Sequence, residues 1–287
     1  MAVAPVREAL AASVDALAAA GMDDPRLDAE LLLGRAMGCE RAALVADPAM
    51  EVPAAAARAF GEMVRRRLRR EPVAYILGSK GFRNIELAVD SRVLIPRPET
   101  ELLVEVAVER QPARVLDVGT GSGAIALAVA DELPECEVVA TDTSPGALEV
   151  ARANAARLGL ADRVRFVAGS LPEGEQFDLV LANLPYVAER DWPSLQPEVT
   201  QWEPREALLA GRDGLDAYRA FLPSRGCDSS RYPGSNATSA IPAAVIALEV
   251  GERQAVAVGE LVREAGFGSV EARKDLAGIE RVVVGER

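Results

Sequence analysis

The sequence contains no histidine. That absence excludes Ser-His-Asp triads, Cys-His dyads and imidazole metal sites together. Chemistry that depends on positioning is favoured, and no metal site is expected. Cysteine is also scarce: Cys39, Cys136 and Cys227 are widely spaced, without a Cys-x-x-Cys pair. Reduced thiols in a cytoplasmic protein are the expectation. Aromatic residues make up only 4% of the chain, so its core must be built mainly from Ala, Val and Leu. No apolar run reaches the roughly 18 residues of a membrane span. Residues 1–20 are Ala-rich but carry Arg7, Glu8 and Asp15, which reads as a helix rather than a signal peptide. A net charge of -12 weighs against a nucleic acid as the main partner, because phosphate binding needs clustered cations.

What is present suggests two unequal domains in 287 residues. Residues 1–70 carry helical periodicity: Leu10, Val14 and Leu17 on one face, Leu27, Leu31 and Leu32 on another, Phe60, Met63, Val64 and Leu68 on a third. They predict a small helical bundle. The run Arg65–Arg70 closes it; a solvated helix face is the plain reading and a docking patch for an acidic partner the sharper one. Residues 75–95, with Gly78, Gly81 and alternating Ile85, Leu87 and Val89, predict a β-hairpin linker. Pro98 then opens a helix running through Arg110, with Glu99 and Glu101 at its N-terminus.

From residue 112 onward strands and helices alternate. Strands are expected at 114–118, 138–142, 163–168, 177–182, 243–250, 269–273 and 280–285. Helices are expected at 123–132, at 145–158 (capped by Ser144) and at 252–265. The pattern predicts an α/β fold with a seven-stranded, mostly parallel, Rossmann-like sheet. Residues 223–242 lack apolar periodicity and are rich in Ser, Gly and Pro, which predicts a poorly ordered loop.

Three turns carry the chemistry. Asp117-Val-Gly119-Thr120-Gly121-Ser122-Gly123 follows an apolar strand and opens a helix, where glycines admit a ligand close to free backbone N–H groups. Gly119–Ala124 also fits a dinucleotide fingerprint. Asp117 argues for a different ligand, because a carboxylate suits the cationic amine of a methionine moiety and would repel a pyrophosphate. Asp142 ends the next strand, where an acid takes ribose hydroxyls. Its plainer role, capping the helix at Pro145, falls better to Ser144. Ser170 and Leu171 fall where a polar group and an apolar adenine wall belong, though Leu171 equally suits ordinary core. Asn183-Leu184-Pro185-Tyr186 follows the fourth strand, at the sheet edge where open parallel sheets bind ligands. An amide nitrogen is a poor nucleophile because its lone pair is delocalised. The Asn183 side-chain oxygen and the Leu184 carbonyl can accept its two N–H bonds and aim that lone pair at a methyl sulfonium. Tyr186 can stack on the flat group, and the Asn183 N–H₂ is expected to bond elsewhere within the turn.

These motifs, with Gly78-Ser-Lys-Gly-Phe82, Ile95-Pro-Arg-Pro-Glu-Thr100, Glu203-Pro204 and Asp213-Gly-Leu-Asp-Ala-Tyr-Arg219, resemble the release factor glutamine methyltransferases nearly end to end. The resemblance implies methyl transfer from S-adenosylmethionine, with S-adenosylhomocysteine as product, to N5 of the glutamine in a Gly-Gly-Gln motif of peptide-chain release factors. It implies a docking domain at 1–74, a hairpin linker at 75–95 and a methyltransferase domain at 96–287. It assigns the cofactor to Asp117, Gly119, Thr120, Gly121, Ser122, Gly123, Asp142, Leu171 and Asn183. The substrate glutamine falls to Asn183, Leu184, Pro185 and Tyr186, with Asn183 and Tyr186 catalytic. The chain departs from the family at two places. Leu184 stands where the family usually has Pro, and residues 223–242, resembling an out-of-frame or inserted segment, stand where it has a helix and a Pro-Gly-Gly-type turn.

Two rivals stay open at this stage. An adenine-N6 methyltransferase acting on RNA or DNA suits the Asn-Leu-Pro-Tyr turn, because the exocyclic amine presents the same planar N–H₂. The acidic chain and the lack of a separate basic, aromatic-rich domain weigh against it. An NAD-binding oxidoreductase suits the glycines but not Asp117.

Overall fold

Proline and glycine punctuate the first helices. In the computed structural model, which describes residues 4–222 and 241–287, α1 (Val6–Ala19) is followed by α2 (Pro25–Met37). Pro25 sits in the first turn of α2, Asp24 caps it, and Gly38 in the left-handed region ends it. Then come α3 (Arg41–Ala46), α4 (Ala54–Leu68) and α5 (Val73–Leu77). These helices, with residues 196–202, make one compact unit of residues 1–79 and 196–202. Its core holds Leu10, Leu17, Leu32, Leu33, Leu44 and Phe60.

Two expectations need correction here. Leu68 is exposed, and the inward position one heptad beyond Phe60 belongs to Arg67, which is only 7% exposed. The arginine run is therefore largely not a free patch. Arg66 pairs with Glu71 at 2.5 Å, Arg67 with Asp28 at 2.7 Å and Glu198 at 2.6 Å, and Arg70 with Glu198 at 2.7 Å. Arg65 and Arg69 keep the exposed side. Glu198 lies on a short helix far along the chain, α9 (Pro197–Trp202), so no local pattern announces it. Burial works against its ionisation, yet Arg67 and Arg70 hold its carboxyl below the usual range. Breaking such a pair strands buried charge. Glu198→Ala should cost about 3–5 kcal/mol of stability, read from urea unfolding. A loss below about 1 kcal/mol would place the pair among weak surface bridges.

The hairpin is shorter than the expected 75–95. Pro72 and left-handed Gly78 bracket a single helical turn, so pairing starts later, with β1 (Ser79–Phe82) and β2 (Ile85–Ala88). Phe82, Ile85, Leu87 and Val89 are buried as their alternation suggests.

The second unit covers residues 80–195 and 203–287. Pro98–Thr100 form a 3₁₀ turn, after which α6 runs Glu101–Arg110. The strands are β3 (Arg114–Val118), β4 (Glu137–Asp142), β5 (Val164–Ala168), β6 (Phe177–Ala182), β7 (Ala243–Glu249), β8 (Ser269–Lys274) and β9 (Glu280–Glu286). They form one seven-stranded sheet in the order β5-β4-β3-β6-β7-β9-β8. β3 to β7 run parallel, and β9 lies antiparallel to both β7 and β8. The fold class is as expected. Among the helices of this unit, α7 (Ala124–Glu132), α8 (Pro145–Leu158), α10 (Asp216–Phe221) and α11 (Ala255–Glu264) follow the strands. The last begins at 255 rather than 252, because the Gln254 side chain first accepts from the Gly251 amide and closes a turn. The loop expected at 223–242 falls outside the described residues except for its last two.

Strand order reverses between β3 and β6: β4 and β5 lie on one side of β3, β6 and β7 on the other. Connections leaving the carboxyl ends of β3 and β6 diverge there, which opens a crevice at the sheet edge.

Candidate functional site

The crevice is built from backbone that only glycine adopts readily. Gly119, Gly121 and Gly123 have φ of 75°, 57° and 86°, three left-handed positions within five residues. A Cβ on Gly121 would meet nothing within 4 Å, so this position is strained by conformation, not crowding. The amides of Gly119 and Thr120 both donate to the Thr141 carbonyl at 2.9 Å, which locks the turn onto the end of β4. Asn154, fully buried on α8, donates to the carbonyls of Ser122 (2.9 Å) and Ala88 (3.0 Å) and accepts from the Ala88 amide at 2.7 Å. It ties the glycine turn to β2. Sequence reading missed it, because a single Asn within a helix gives no signal.

Asp117 is completely buried. Its Oδ2 accepts from the Thr120 hydroxyl (2.6 Å) and the Ala126 amide (3.2 Å), whereas Oδ1 is buried without a partner among the described residues. Burial pushes its carboxyl up to about 7, although Thr120 and Ala126 pull the other way. The sign for stability follows. A carboxyl raised in the folded state favours the proton there, so stability is full below the unfolded value and is lost as pH rises toward about 7. Asp117→Asn should flatten that loss by up to about 1.4 kcal/mol per pH unit between pH ~4 and ~7. Urea unfolding across that window measures it; an unchanged slope would show that Asp117 does not titrate there.

Asp142 ends β4 and faces the same turn. Its Oδ2 accepts from the Gly121 amide at 2.9 Å and its Oδ1 from the Ser144 amide at 2.8 Å, which leaves lone pairs on both oxygens. Ser144 supplies the α8 cap, its hydroxyl accepting from the Ala147 amide at 3.2 Å. On the far side of the reversal, Asn183 follows β6, and its Nδ2 donates to the Thr100 hydroxyl at 3.1 Å. Its amide therefore bonds outside its own turn, contrary to expectation. The segment leading to Thr100 is itself held: Glu203 accepts from the Ile95 amide at 3.1 Å and pairs with Arg97.

A cavity of about 240 Å³ joins the two sides. Of the residues singled out from sequence, Gly119, Gly121, Asp142, Ser144, Ser170, Asn183, Leu184 and Pro185 line it. Asp117, Thr120, Ser122, Gly123, Leu171 and Tyr186 do not. Asp117 and Thr120 bind each other beneath the turn, and Leu171 and Tyr186 pack, partly buried, against the main core. Burial also raises the Tyr186 phenol above its ordinary range, with Glu249 adding to the effect, so it stays neutral and is no base. Among the lining residues that sequence reading missed are Arg92, Val93, Leu94, Pro204, Glu206 and Ala207. The only signal for them was Pro204 in the motif Glu203-Pro204. Such a cavity, with the glycine backbone and Asp142 on one side and Asn183 on the other, can hold a nucleoside-like ligand beside a small planar group.

Comparison with known proteins agrees. The chain matches the model of the PrmC N-terminal domain over residues 8–78 and that of a methyltransferase domain over residues 115–202. The release factor glutamine methyltransferase of Cereibacter sphaeroides is 41% identical over 278 residues, which cover 96% of each chain. Its namesake from Caulobacter vibrioides is 41% identical over 285 residues, 97% of this chain and 95% of that protein. The namesake from Moorella thermoacetica is 40% identical over 290 residues, 98% of each. Among solved structures, the hMettl16 catalytic domain in complex with MAT2A 3'UTR hairpin 6 has a TM-score of 0.52 at 16% identity. It covers 70% of this chain and 75% of its own, and bears on the fold alone.

Proposed function

We propose that, because this chain belongs to the release factor glutamine methyltransferases, its cavity takes S-adenosylmethionine at the glycine turn and a release-factor glutamine at the Asn183 turn. The reaction is methyl transfer to a side-chain amide nitrogen. One observation carries the assignment: Gly119, Gly121 and Asp142 share a single cavity with Asn183, Leu184 and Pro185.

The residues fit the cofactor. Asp117 keeps one buried oxygen unpaired among the described residues, the type of group that a nearby cation would satisfy. Asp142 has lone pairs free for ribose hydroxyls, and the glycine backbone admits close approach. When bound, S-adenosylmethionine supplies an electrophilic methyl on a sulfonium. The chain's own residues then position the nucleophile. Asn183 Oδ1 and the Leu184 carbonyl accept the two N–H bonds of the glutamine amide, fixing its plane and turning its lone pair toward the methyl. S-adenosylmethionine, held by the glycine turn and Asp142, would supply its methyl to that nitrogen and leave as S-adenosylhomocysteine, and the extra proton on nitrogen would pass to water. No general base is needed before that loss, in keeping with a chain that has no histidine.

In this reading residues 1–74 dock the body of the release factor, 75–95 link, and 96–287 carry the chemistry. Docking cannot rest on the whole Arg65–Arg70 run, since Arg66, Arg67 and Arg70 are spent on internal carboxylates. Leu184→Pro, which restores the commoner motif, should change turnover little because the carbonyl at 184 persists. A loss of about tenfold or more in steady-state kinetics would mean the Leu184 side chain or amide takes part.

The assignment is tested by incubating the protein with methyl-labelled S-adenosylmethionine and a purified release factor, with ribosomal RNA as a parallel substrate. Peptide mass spectrometry should place the label on the glutamine of the Gly-Gly-Gln motif. Label on RNA adenine would favour the rival reading.

A further inference from the structure

We propose that Gln254 is a positioning residue for methyl transfer: its side-chain amide clamps the far end of the Asn183–Tyr186 turn, and so sets where the acceptors for the substrate glutamine stand. The proposal rests on the reading of that turn as the element that holds the glutamine.

The turn is held at both ends. Its first residue, Asn183, follows β6, whose Ala182 pairs with Leu248 of β7, and its Nδ2 donates to Thr100. At its last residue the Tyr186 carbonyl accepts from Gln254 Nε2 at 3.0 Å, and the same nitrogen donates to the Gly214 carbonyl at 3.3 Å. Gln254 Oε1 accepts from the Gly251 amide at 2.9 Å. One side chain just ahead of α11 thereby joins the substrate turn to the loop after β7 and to the loop before α10. The peptide after Tyr186 is planar, and its other polar group, the Val187 amide, donates to the Leu208 carbonyl at 2.8 Å. With both groups bonded that plane is fixed. Without Gln254 it can pivot about the bond that remains.

These partners leave the Gln254 amide one orientation. A backbone N–H only donates and a backbone carbonyl only accepts, so the oxygen faces Gly251 and the nitrogen faces the two carbonyls. Both amide hydrogens and the oxygen are used. An ionised glutamate would bring no hydrogen, lysine no acceptor, and asparagine a reach one carbon shorter.

Two glycines make the room. A Cβ on Gly251 would stand 2.7 Å from Gln254 Oε1 and 3.1 Å from Tyr186 Cδ2. A Cβ on Gly214 would stand 2.3 Å from the Tyr186 carbonyl oxygen and 2.7 Å from Gln254 Nε2. Gly214 belongs to the motif Asp213–Arg219, where Arg219 bonds Asp213 at 2.6 Å and Asp216 at 2.9 Å. The loop that presents the Gly214 carbonyl is therefore itself braced. Closing the turn ahead of α11 needs only the Gly251 contact. The two carbonyl contacts lie outside that turn, and holding the Tyr186 peptide accounts for them.

A double-mutant cycle tests this. Gln254→Met keeps the length and removes the amide; Gln254→Glu keeps an acceptor for Gly251 but sets an oxygen against the two carbonyls. Turnover, KM for release factor and calorimetric cofactor affinity are measured for the wild type, Gln254→Met, Asn183→Ala and the pair. Gln254→Met should lower kcat roughly tenfold, a coupling ordinary for residues linked through a backbone shift, with cofactor affinity unchanged. Gln254→Glu should do no better, and wild-type turnover in either single variant would overturn the proposal. In the Asn183→Ala background Gln254→Met should cost nothing further. Equal losses in both backgrounds would overturn the proposal and leave Gln254 a merely structural residue. Wild-type turnover by Asn183→Ala alone would instead overturn the reading of the turn itself, and the proposal with it. Should Gln254→Met fail to fold, Gly251→Ala enters the same cycle, since its Cβ displaces the flexible end of Gln254. Its loss must likewise vanish when Asn183 is absent, and persistence of that loss counts against the proposal.

Discussion

Asp142→Ala should weaken S-adenosylmethionine binding by about 1.5–3 kcal/mol, roughly ten- to a hundredfold, while saturated turnover changes far less. Two losses combine in this variant. Alanine removes the charged acceptor proposed for the ribose hydroxyls. It also frees the Gly121 and Ser144 amides, which Asp142 now holds at 2.9 and 2.8 Å, so the glycine turn loses an anchor to β4. Asp142→Asn separates the two effects, since its one carbonyl oxygen can keep only part of that grip. Calorimetry with S-adenosylmethionine, and with NAD as the control ligand, reads the result. Unchanged affinity in Asp142→Ala would remove this residue from the site.

The parallel part of the sheet was legible because its strands are short, largely apolar runs, and the clearest helix between them carries its own start and stop. Ser144-Pro145 and Gly159 around α8 behave as cap, first turn and left-handed stop. The glycine turn and Asn183-Leu-Pro-Tyr were legible for a similar reason: both are local sequences attached to strand ends. Features that depend on distant partners were not. Arg67 reads as a surface charge until Asp28 and Glu198 come to it, 39 and 131 residues away. Asn154 reads as a neutral helix residue until it meets Ala88 and Ser122. Thr100 reads as the end of a motif, and only the fold brings Asn183 to it.

The hairpin and the cavity wall show the same limit at shorter range. Alternation in Ile85, Leu87 and Val89 marks burial, but the pairing it implies does not reach back over Tyr75–Leu77, where Pro72 and Gly78 impose a turn of helix instead. Asp117 was placed by charge complementarity facing a ligand. In the fold it spends one oxygen on Thr120 and Ala126 and keeps the other buried and unpaired among the described residues, a local electrostatic fact that only packing reveals.

Asn183→Ala should lose turnover on the order of 10²-fold or more, since the residue orients a weak nucleophile and misplacement of that kind is costly. Alanine removes the acceptor oxygen, and with it the donor that now bonds Thr100. Asn183→Asp keeps an acceptor but adds a charge beside Thr100 and loses that donor, so it should not rescue. Cofactor affinity should change little in either, because the glycine turn and Asp142 are untouched. The measurement that bears most directly on the Asn183 turn is single-turnover methylation of release-factor glutamine by Asn183→Ala at saturating S-adenosylmethionine. The expected result is a rate at least about a hundredfold below wild type with cofactor affinity intact. A rate near wild type would mean that something other than this turn positions the amide.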